Sequence, residues 1–313
     1  MNIWCNAVLT NEAKQVLKDG LKEHTLVIDE GSINSLTSSP YTIAFGQPDA
    51  EACLTNQSLK WAALTTAGYT RYDTASFKET MKSRSTVFTN ASTVYADPCA
   101  QHVLAMMLCL SRQLTASIES QRTNHNWPYI ERRQKATLLT AQTVVLLGYG
   151  AIGRRLVELL KPFNMQIIAI RRQVRSELGV RIVPEEDMTR VLALADHVVN
   201  ILPLNESTFN YVNRRRLDCM KRGARFYNIG RGTTVDQNAL IEALNSGRLE
   251  SAYLDVMDPE PLPENHPLWT TQNCYLTPHI AGGYKHLDLA VVRHFLSNLE
   301  AFMHGMPLTD QVI

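Results

Sequence analysis

Two residues flanking a stiff, proline-rich stretch are the best suited in this chain to proton chemistry. They are His279, within Thr277-Pro278-His279-Ile280-Ala281-Gly282-Gly283, and Glu260, within Asp258 to Trp269. Pro259, Pro261, Pro263 and Pro267 exclude a regular helix or central strand there, so the stretch reads as a rigid loop that allows the pair to meet. A carboxylate against an imidazole orients the ring and favours its charged form. His279 would then give a proton to a carbonyl being reduced and take one from an alcohol being oxidised. Arg231 lies between Gly230 and Gly232, directly after a strand-like run. Its guanidinium fork suits a carboxylate held by two donors, with one donor also polarising a carbonyl oxygen. A lone histidine or arginine is more often structural; company at neighbouring strand ends raises the functional reading.

The elements that must position these residues centre on Val144-Val145-Leu146-Leu147-Gly148-Tyr149-Gly150-Ala151-Ile152-Gly153, followed by helical periodicity from Arg154 to Leu160. Gly148 permits a tight turn, Gly150 lets the backbone approach phosphate oxygens, and Gly153 lets helix pack on strand. A nucleotide pyrophosphate is expected at the helix start, beside Tyr149, Ala151 and Ile152. Alone such a string is a weak sign, but strand, loop and helix in this order point to dinucleotide binding. The next strand, Gln166 to Ile170, ends in Arg171-Arg172. A site selective for an unphosphorylated adenosine ribose usually has a carboxylate here, which repels a 2′-phosphate. Arginines reverse that preference and offer bidentate donors, so NADP(H) is favoured and NAD(H) is the alternative.

The chain of 313 residues is long enough for two domains. Its 31 basic and 30 acidic residues leave a net charge of +1, so no global field draws nucleic acid or an acidic membrane. The six cysteines are scattered without a CxxC pair or zinc spacing, so no metal is expected and a reducing compartment is. The first residues lack a secretion signal and no later run could span a bilayer, so the expected location is the cytoplasm.

Upstream, Asn2 to Ala7, Thr25 to Ile28, Tyr41 to Phe45 and Trp61 to Leu64 read as strands alternating with helices, a small parallel α/β domain. Thr65 to Asp73 and Thr89 to Tyr95 are loops at strand ends, where open α/β sheets bind ligands, although Gly68 equally suits a plain turn. Asp97-Pro98 signals the start of a helix running through Arg112. Asn124 to Lys135, with Trp127 and Tyr129, reads as a polar, irregular excursion before a nucleotide domain begins near Thr137. Strands and helices then alternate to a final helix from Leu287 to Met303.

From about Leu138 to Gly283 the chain resembles the D-isomer-specific 2-hydroxyacid dehydrogenases. Leu146 to Gly153 resembles their nucleotide fingerprint, Leu202-Pro203-Leu204 their cofactor-covering loop, and Asn228-Ile229-Gly230-Arg231-Gly232 their catalytic-arginine motif. Asp255 to Pro263 resembles their catalytic-glutamate segment and Thr277 to Gly282 their catalytic-histidine motif. The resemblance implies a triad of Arg231, Glu260 and His279, with Ala67 and Gly68 giving main-chain N–H groups to the substrate carboxylate. Leu202, Pro203, Ile229, Gly230, Asp255, Ala281 and Gly282 fall on the cofactor side, with Asp255 holding the nicotinamide carboxamide. Asn90 matches a recurrent hinge-side position, and Gln101-His102 stands where many members have Glu-His, a packing difference.

The same resemblance implies two Rossmann-like or flavodoxin-like parallel-sheet α/β domains. The nucleotide domain, 103–283, is inserted in a discontinuous substrate domain, 1–102 with 284–313. It also implies a homodimer, with the Trp127 excursion against the partner. With Arg171 where NAD-preferring relatives carry aspartate, the expected reaction is NADPH-dependent reduction of glyoxylate or hydroxypyruvate to the D-2-hydroxy acid. Tyr69, Tyr72, Tyr95 and Tyr284 are candidates for narrowing the pocket. A dehydrogenase of phosphoglycerate, formate or phosphite is the alternative enzyme. Against these stand the lack of an appended regulatory domain, the lack of a glutamine before His279, and the suspected NADP preference. A nucleotide-sensing corepressor is the alternative from another class, and near-neutral charge argues against its binding DNA directly.

Overall fold

A computed structural model describes residues 1–32, 36, 40–171 and 177–313. The chain divides into two compact units, 1–95 with 283–313, and 96–282. In the first, β1 (Asn2–Cys5), β2 (Thr25–Ile28), β3 (Ile43–Gly46), β4 (Trp61–Leu64) and β5 (Val87–Thr89) form a parallel sheet in the order β2-β1-β3-β4-β5. That is a flavodoxin-like order. Every residue of β3 and β4 is buried, as a parallel sheet covered on both faces requires. Thr10 caps the helix Asn11–Gly20 by accepting from the Ala13 N–H, and Ala13 and Leu17 enter the core. The closing helix Leu287–Met303 belongs to the same core: Phe295 stacks on Phe45 at 4.3 Å and on Trp61 at 5.2 Å. Those contacts explain why the unit needs both ends of the chain.

The second unit contains β6 (Thr143–Leu147), β7 (Gln166–Ile170), β8 (Arg181–Val183), β9 (His197–Asn200), β10 (Ala224–Asn228), β11 (Leu249–Leu254) and β12 (Cys274–Leu276). They pair in parallel in the order β12-β11-β10-β9-β6-β7-β8, a Rossmann-like order extended by one strand. The order reverses between β6 and β9, and the crevice outside the carboxyl ends of such strands is where open sheets take ligands. β6, β9 and β10 are buried throughout, so their apolar runs are the pattern of strands covered on both faces.

Two expectations need correction. The helix expected from Asp97 spans Ser92–Ser111, with Pro98 inside it. Asn90 Oδ1 accepts from the Ser92 N–H at 3.1 Å, which starts the helix upstream, and the proline forfeits one backbone bond without ending it. The excursion after Asn124 contains an ordered helix, Tyr129–Lys135, preceded by Leu114–Thr123. It escaped the periodicity because none of its residues is buried; Glu131–Lys135 and Tyr129–Arg133 pairs lace its surface instead. Among the described residues, no helix is long and apolar enough to cross a membrane.

His197 is fully buried in β9, with Nδ1 3.0 Å from the Tyr227 hydroxyl and Nε2 2.8 Å from Gln142 Oε1. Burial, with Arg225 adding to it, pushes its pKa from 6.5 down to about 3. Above pH 6.5 the ring is neutral in folded and unfolded chains alike; below it, the unfolded chain takes up a proton that the folded one refuses. Stability is therefore expected to fall by about 1.4 kcal/mol per pH unit as pH drops below the unfolded value. Urea unfolding at pH 7, 6 and 5 measures this, with a shallower decline expected for His197→Gln and an equal decline refuting the assignment.

Candidate active site

Because β10, β11 and β12 run parallel, they release their chains at one edge of the sheet. Arg231 follows β10, Asp255 to Glu260 follow β11, and His279 follows β12. Asp255 is 1% exposed, and both of its oxygens are engaged. Oδ1 accepts from the Thr277 hydroxyl at 2.6 Å and the Ile280 N–H at 2.9 Å, while Oδ2 accepts from the Ala281 N–H at 2.9 Å. Hydrogen bonds to a charged group contribute about 1.5–3 kcal/mol each, so this side chain ties the loop after β12 to the end of β11. The His279 N–H adds a bond to the Asp255 carbonyl at 2.8 Å. His279 has a φ of 53°, a left-handed backbone uncommon for a residue with a side chain, and these bonds offset its cost.

His279 and Glu260 meet as the sequence anticipates, with Nδ1 2.8 Å from Oε2. Glu260 Oε1 accepts from the Met257 N–H at 3.0 Å, so the carboxylate is itself held. With Nδ1 engaged, Nε2 is the ring nitrogen left for proton exchange. The pair borders an apolar recess of about 520 Å³ lined by Met257, Leu262, Trp269, Leu276 and Pro278.

Arg231 has a fixed backbone and a folded-back side chain. Its carbonyl accepts from Asn228 Nδ2 at 3.1 Å and from Thr234 Oγ1 at 2.6 Å. Asn200 Nδ2 donates to Asn228 Oδ1 and to Thr234 Oγ1, which completes a buried polar network. The guanidinium donates to the Gly230 carbonyl at 2.7 Å, and among the described residues no hydrogen bond joins it to Glu260 or His279. That bond engages Nη1 alone, so the fork has further donors with which to grip a carboxylate. Arg231 and Asp255 both act electrostatically on the buried Cys99 thiol, which burial pushes up to about 12.

The strand-end loops meet backbone to backbone. A Cβ on Gly232 would lie 1.9 Å from the Met257 carbonyl oxygen, and one on Gly230 would lie 2.5 Å from the Leu202 oxygen. Gln237 clamps the first contact by accepting from the Asp258 N–H and donating to its carbonyl. Ile229 donates its N–H to the Asn200 carbonyl, and the Thr208 hydroxyl holds the Pro203 carbonyl at 2.6 Å. Asn200, Thr234 and Gln237 went unnoticed in the sequence, because each works through contacts distant along the chain.

The glycine loop opens a groove of about 510 Å³ whose walls include Ile170, Arg171, Pro203 and Thr208. Gly148 has a φ of +96°, a Cβ on Gly153 would press on the Tyr149 ring and Gly148 oxygen, and the space where a Cβ on Gly150 would stand is open. The helix Ala151–Leu160 starts at Gly150 with no side-chain cap, so its first N–H groups lack a side-chain acceptor. A ligand diphosphate fits that donor set. Arg171 Nη1 lies 3.6 Å and Arg154 Nε 3.9 Å from one oxygen, Glu177 Oε1. Burial, then a hydrogen bond to the same Glu177, pushes the Tyr149 phenol up to about 12. Arg172 lies outside the described residues.

Ala67 and Gly68 belong to the first unit. Buried Asn90 donates to the Ala67 carbonyl at 2.8 Å, and the Thr66 hydroxyl donates to that of Gly68 at 2.7 Å. Gln47 spans the Thr65 and Thr66 hydroxyls and is itself held by Asn6 Oδ1, neither of which the sequence had marked. Of the four tyrosines, Tyr95 and Tyr284 line a recess of about 540 Å³ with Leu9 and Thr66. Tyr72 is instead a core residue whose hydroxyl donates to the Pro48 carbonyl, and Tyr69 packs on the same core.

The D-isomer specific 2-hydroxyacid dehydrogenase NAD-binding domain matches residues 104–281, and the chain belongs to this family. The chain is 34% identical over 222 residues to human glyoxylate reductase/hydroxypyruvate reductase, covering 70% of this chain and 67% of that one. It is 33% identical over 243 residues to glyoxylate reductase of Pyrococcus furiosus, covering 75% and 70% respectively. A D-isomer specific 2-hydroxyacid dehydrogenase from Xanthobacter autotrophicus Py2, solved with NADPH and MES, shares the fold at a TM-score of 0.84 and 24% identity, covering 100% of this chain and 98% of that one. The protein is thus an oxidoreductase that uses NAD(P)H to reduce a small 2-keto acid.

Proposed function

We propose that the protein reduces glyoxylate or hydroxypyruvate to the D-2-hydroxy acid with NADPH, using His279 as proton donor, Glu260 to orient it and Arg231 to bind the acid. The observation that carries this reading is the His279–Glu260 pair on a loop fastened by Asp255. The nicotinamide cofactor, when bound, supplies the hydride. Glu260 keeps Nδ1 occupied, so the proton leaves from His279 Nε2 to the carbonyl oxygen as it gains charge. Arg231 holds the carboxylate with two donors of its guanidinium. The glycine loop 148–153 and residues 202–203, 229–230 and 281–282 form the cofactor bed. On this reading 103–283 is the nucleotide domain, and 1–102 with 284–313 the substrate domain.

The names of the human and Pyrococcus relatives support a small acid, and Tyr95 and Tyr284 in the recess of the first unit suit a short side chain. Arg171 in the groove supports NADPH. The exposed Trp127, Tyr129 and Ile130 support a homodimer through that helical excursion, and six free cysteines support the cytoplasm.

Turnover is expected with NADPH and glyoxylate or hydroxypyruvate, falling as the keto acid lengthens; His279→Ala should lose at least about a hundredfold in kcat with little change in cofactor binding. Absence of turnover on every 2-keto acid with both cofactors refutes the assignment. Arg171→Asp is expected to weaken NADPH relative to NADH by about 2 kcal/mol, read as the ratio of dissociation constants, and an unchanged ratio removes Arg171 from the phosphate site. Trp127→Ala, with its parent residue 90% exposed, should lower the sedimentation coefficient toward a monomer, whereas an unaltered dimer places the interface elsewhere.

A further inference from the structure

Asp255 is held from behind by a chain of side chains that the reaction above leaves without a role. Thr277 Oγ1 lies 2.6 Å from Asp255 Oδ1 and also contacts the Tyr253 hydroxyl, which in turn lies 2.5 Å from His102 Nε2. The phenol and imidazole rings stack with centroids 5.6 Å apart. Tyr253 is fully buried, in the strand that ends at Asp255. His102 lies on the helix Ser92–Ser111.

Hydrogen-bond chemistry gives this chain one direction. An ionised carboxylate only accepts, so the Thr277 hydroxyl commits its proton to Asp255. Thr277 Oγ1 must then accept from Tyr253, whose proton is committed in turn. Burial raises the phenol's pKa well above its ordinary value, so it keeps that proton. The Tyr253 oxygen is left to accept, and its neighbour His102 Nε2 must carry a hydrogen. Four groups thus share one ordered arrangement, anchored on a carboxylate that also holds the Ile280 and Ala281 N–H groups beside His279.

We propose that His102 and Tyr253 are positioning residues of the reaction, forming a one-way relay through Thr277 to Asp255 that fixes the loop presenting His279. Losing the relay frees the Thr277 hydroxyl to turn from Asp255, and the loop loses one of its three side-chain anchors. The glycine loop, carried by another strand, is untouched. Nucleotide affinity, to which residues 281–282 contribute beside the untouched glycine loop, therefore falls less than turnover. This inference rests on His279 as proton donor.

The test uses the full chain with NADPH and the best 2-keto acid of the panel. Tyr253→Phe and His102→Leu are each expected to lower kcat about tenfold, equivalent to about 1.4 kcal/mol, while the nucleotide dissociation constant shifts less than about twofold. His102→Gln, which keeps a donor at the equivalent reach, should recover most of the loss. The double variant should be no slower than the slower single one, because a broken chain cannot be broken again. Urea midpoints within the transition of the parent show that each variant is folded. Independently of turnover, the amide NMR signals of Ile280 and Ala281 should move in Tyr253→Phe and His102→Leu but not in His102→Gln. Parent-like kcat in Tyr253→Phe, multiplicative losses in the double variant, or unmoved loop amides overturn the relay. Moved amides in an enzyme that His279→Ala leaves fully active would retain the relay and overturn the proton-donor reading instead.

Discussion

One buried carboxylate carries the geometry of this protein. Asp255 stands at the end of β11 and accepts the Thr277 hydroxyl and two consecutive main-chain N–H groups from the loop after β12. A group so deeply buried is costly unless its lone pairs are met, and here they are met by the segment that bears His279. The energy that makes the burial tolerable is the same energy that selects the loop conformation, including the left-handed backbone at His279. A histidine on a freely moving loop would meet Glu260 only part of the time; this one is held against it.

Around that anchor the strand-end loops pack with little room between backbones. Gly230 and Gly232 lie against Leu202 and Met257, the loops after neighbouring strands, where any side chain would force main chains apart. The buried Asn200–Asn228–Thr234 network fixes the turn from which Arg231 projects. The backbone beneath the arginine is thus rigid while its side chain, resting on the Gly230 carbonyl, has somewhere to go. Precision in the scaffold and freedom in one long side chain divide the work of catching and aligning a small acid.

The parallel sheets, the glycine turn and the meeting of Glu260 with His279 were legible because their signals are local: apolar runs, tight turns and prolines within a few residues. The buried strands advertise themselves by short apolar runs, although β9 and β10 also bury His197, Asn200, Arg225 and Asn228. What stayed hidden was non-local or masked by a stronger cue. Pro98 imitated the first turn of a helix that begins at Ser92, since the Asn90 side chain supplies the start. The surface helix Tyr129–Lys135 has no buried stripe to betray it. Tyr72 looked like a pocket wall but donates to Pro48 in the core, and nothing near His102 in sequence announces Tyr253 as its neighbour.

Glu177 gives the surroundings of Arg171 a character that the arginines after β7 did not suggest. Its carboxylate lies between Arg154 and Arg171, beyond hydrogen-bond length from both. Any anion arriving there does not meet naked positive charge; it trades places with a weaker one already in residence. The net attraction for an anion at this corner is consequently a difference between two ionic arrangements rather than the full strength of either. It is the kind of difference that dissolved salt compresses, because both arrangements are partly open to water.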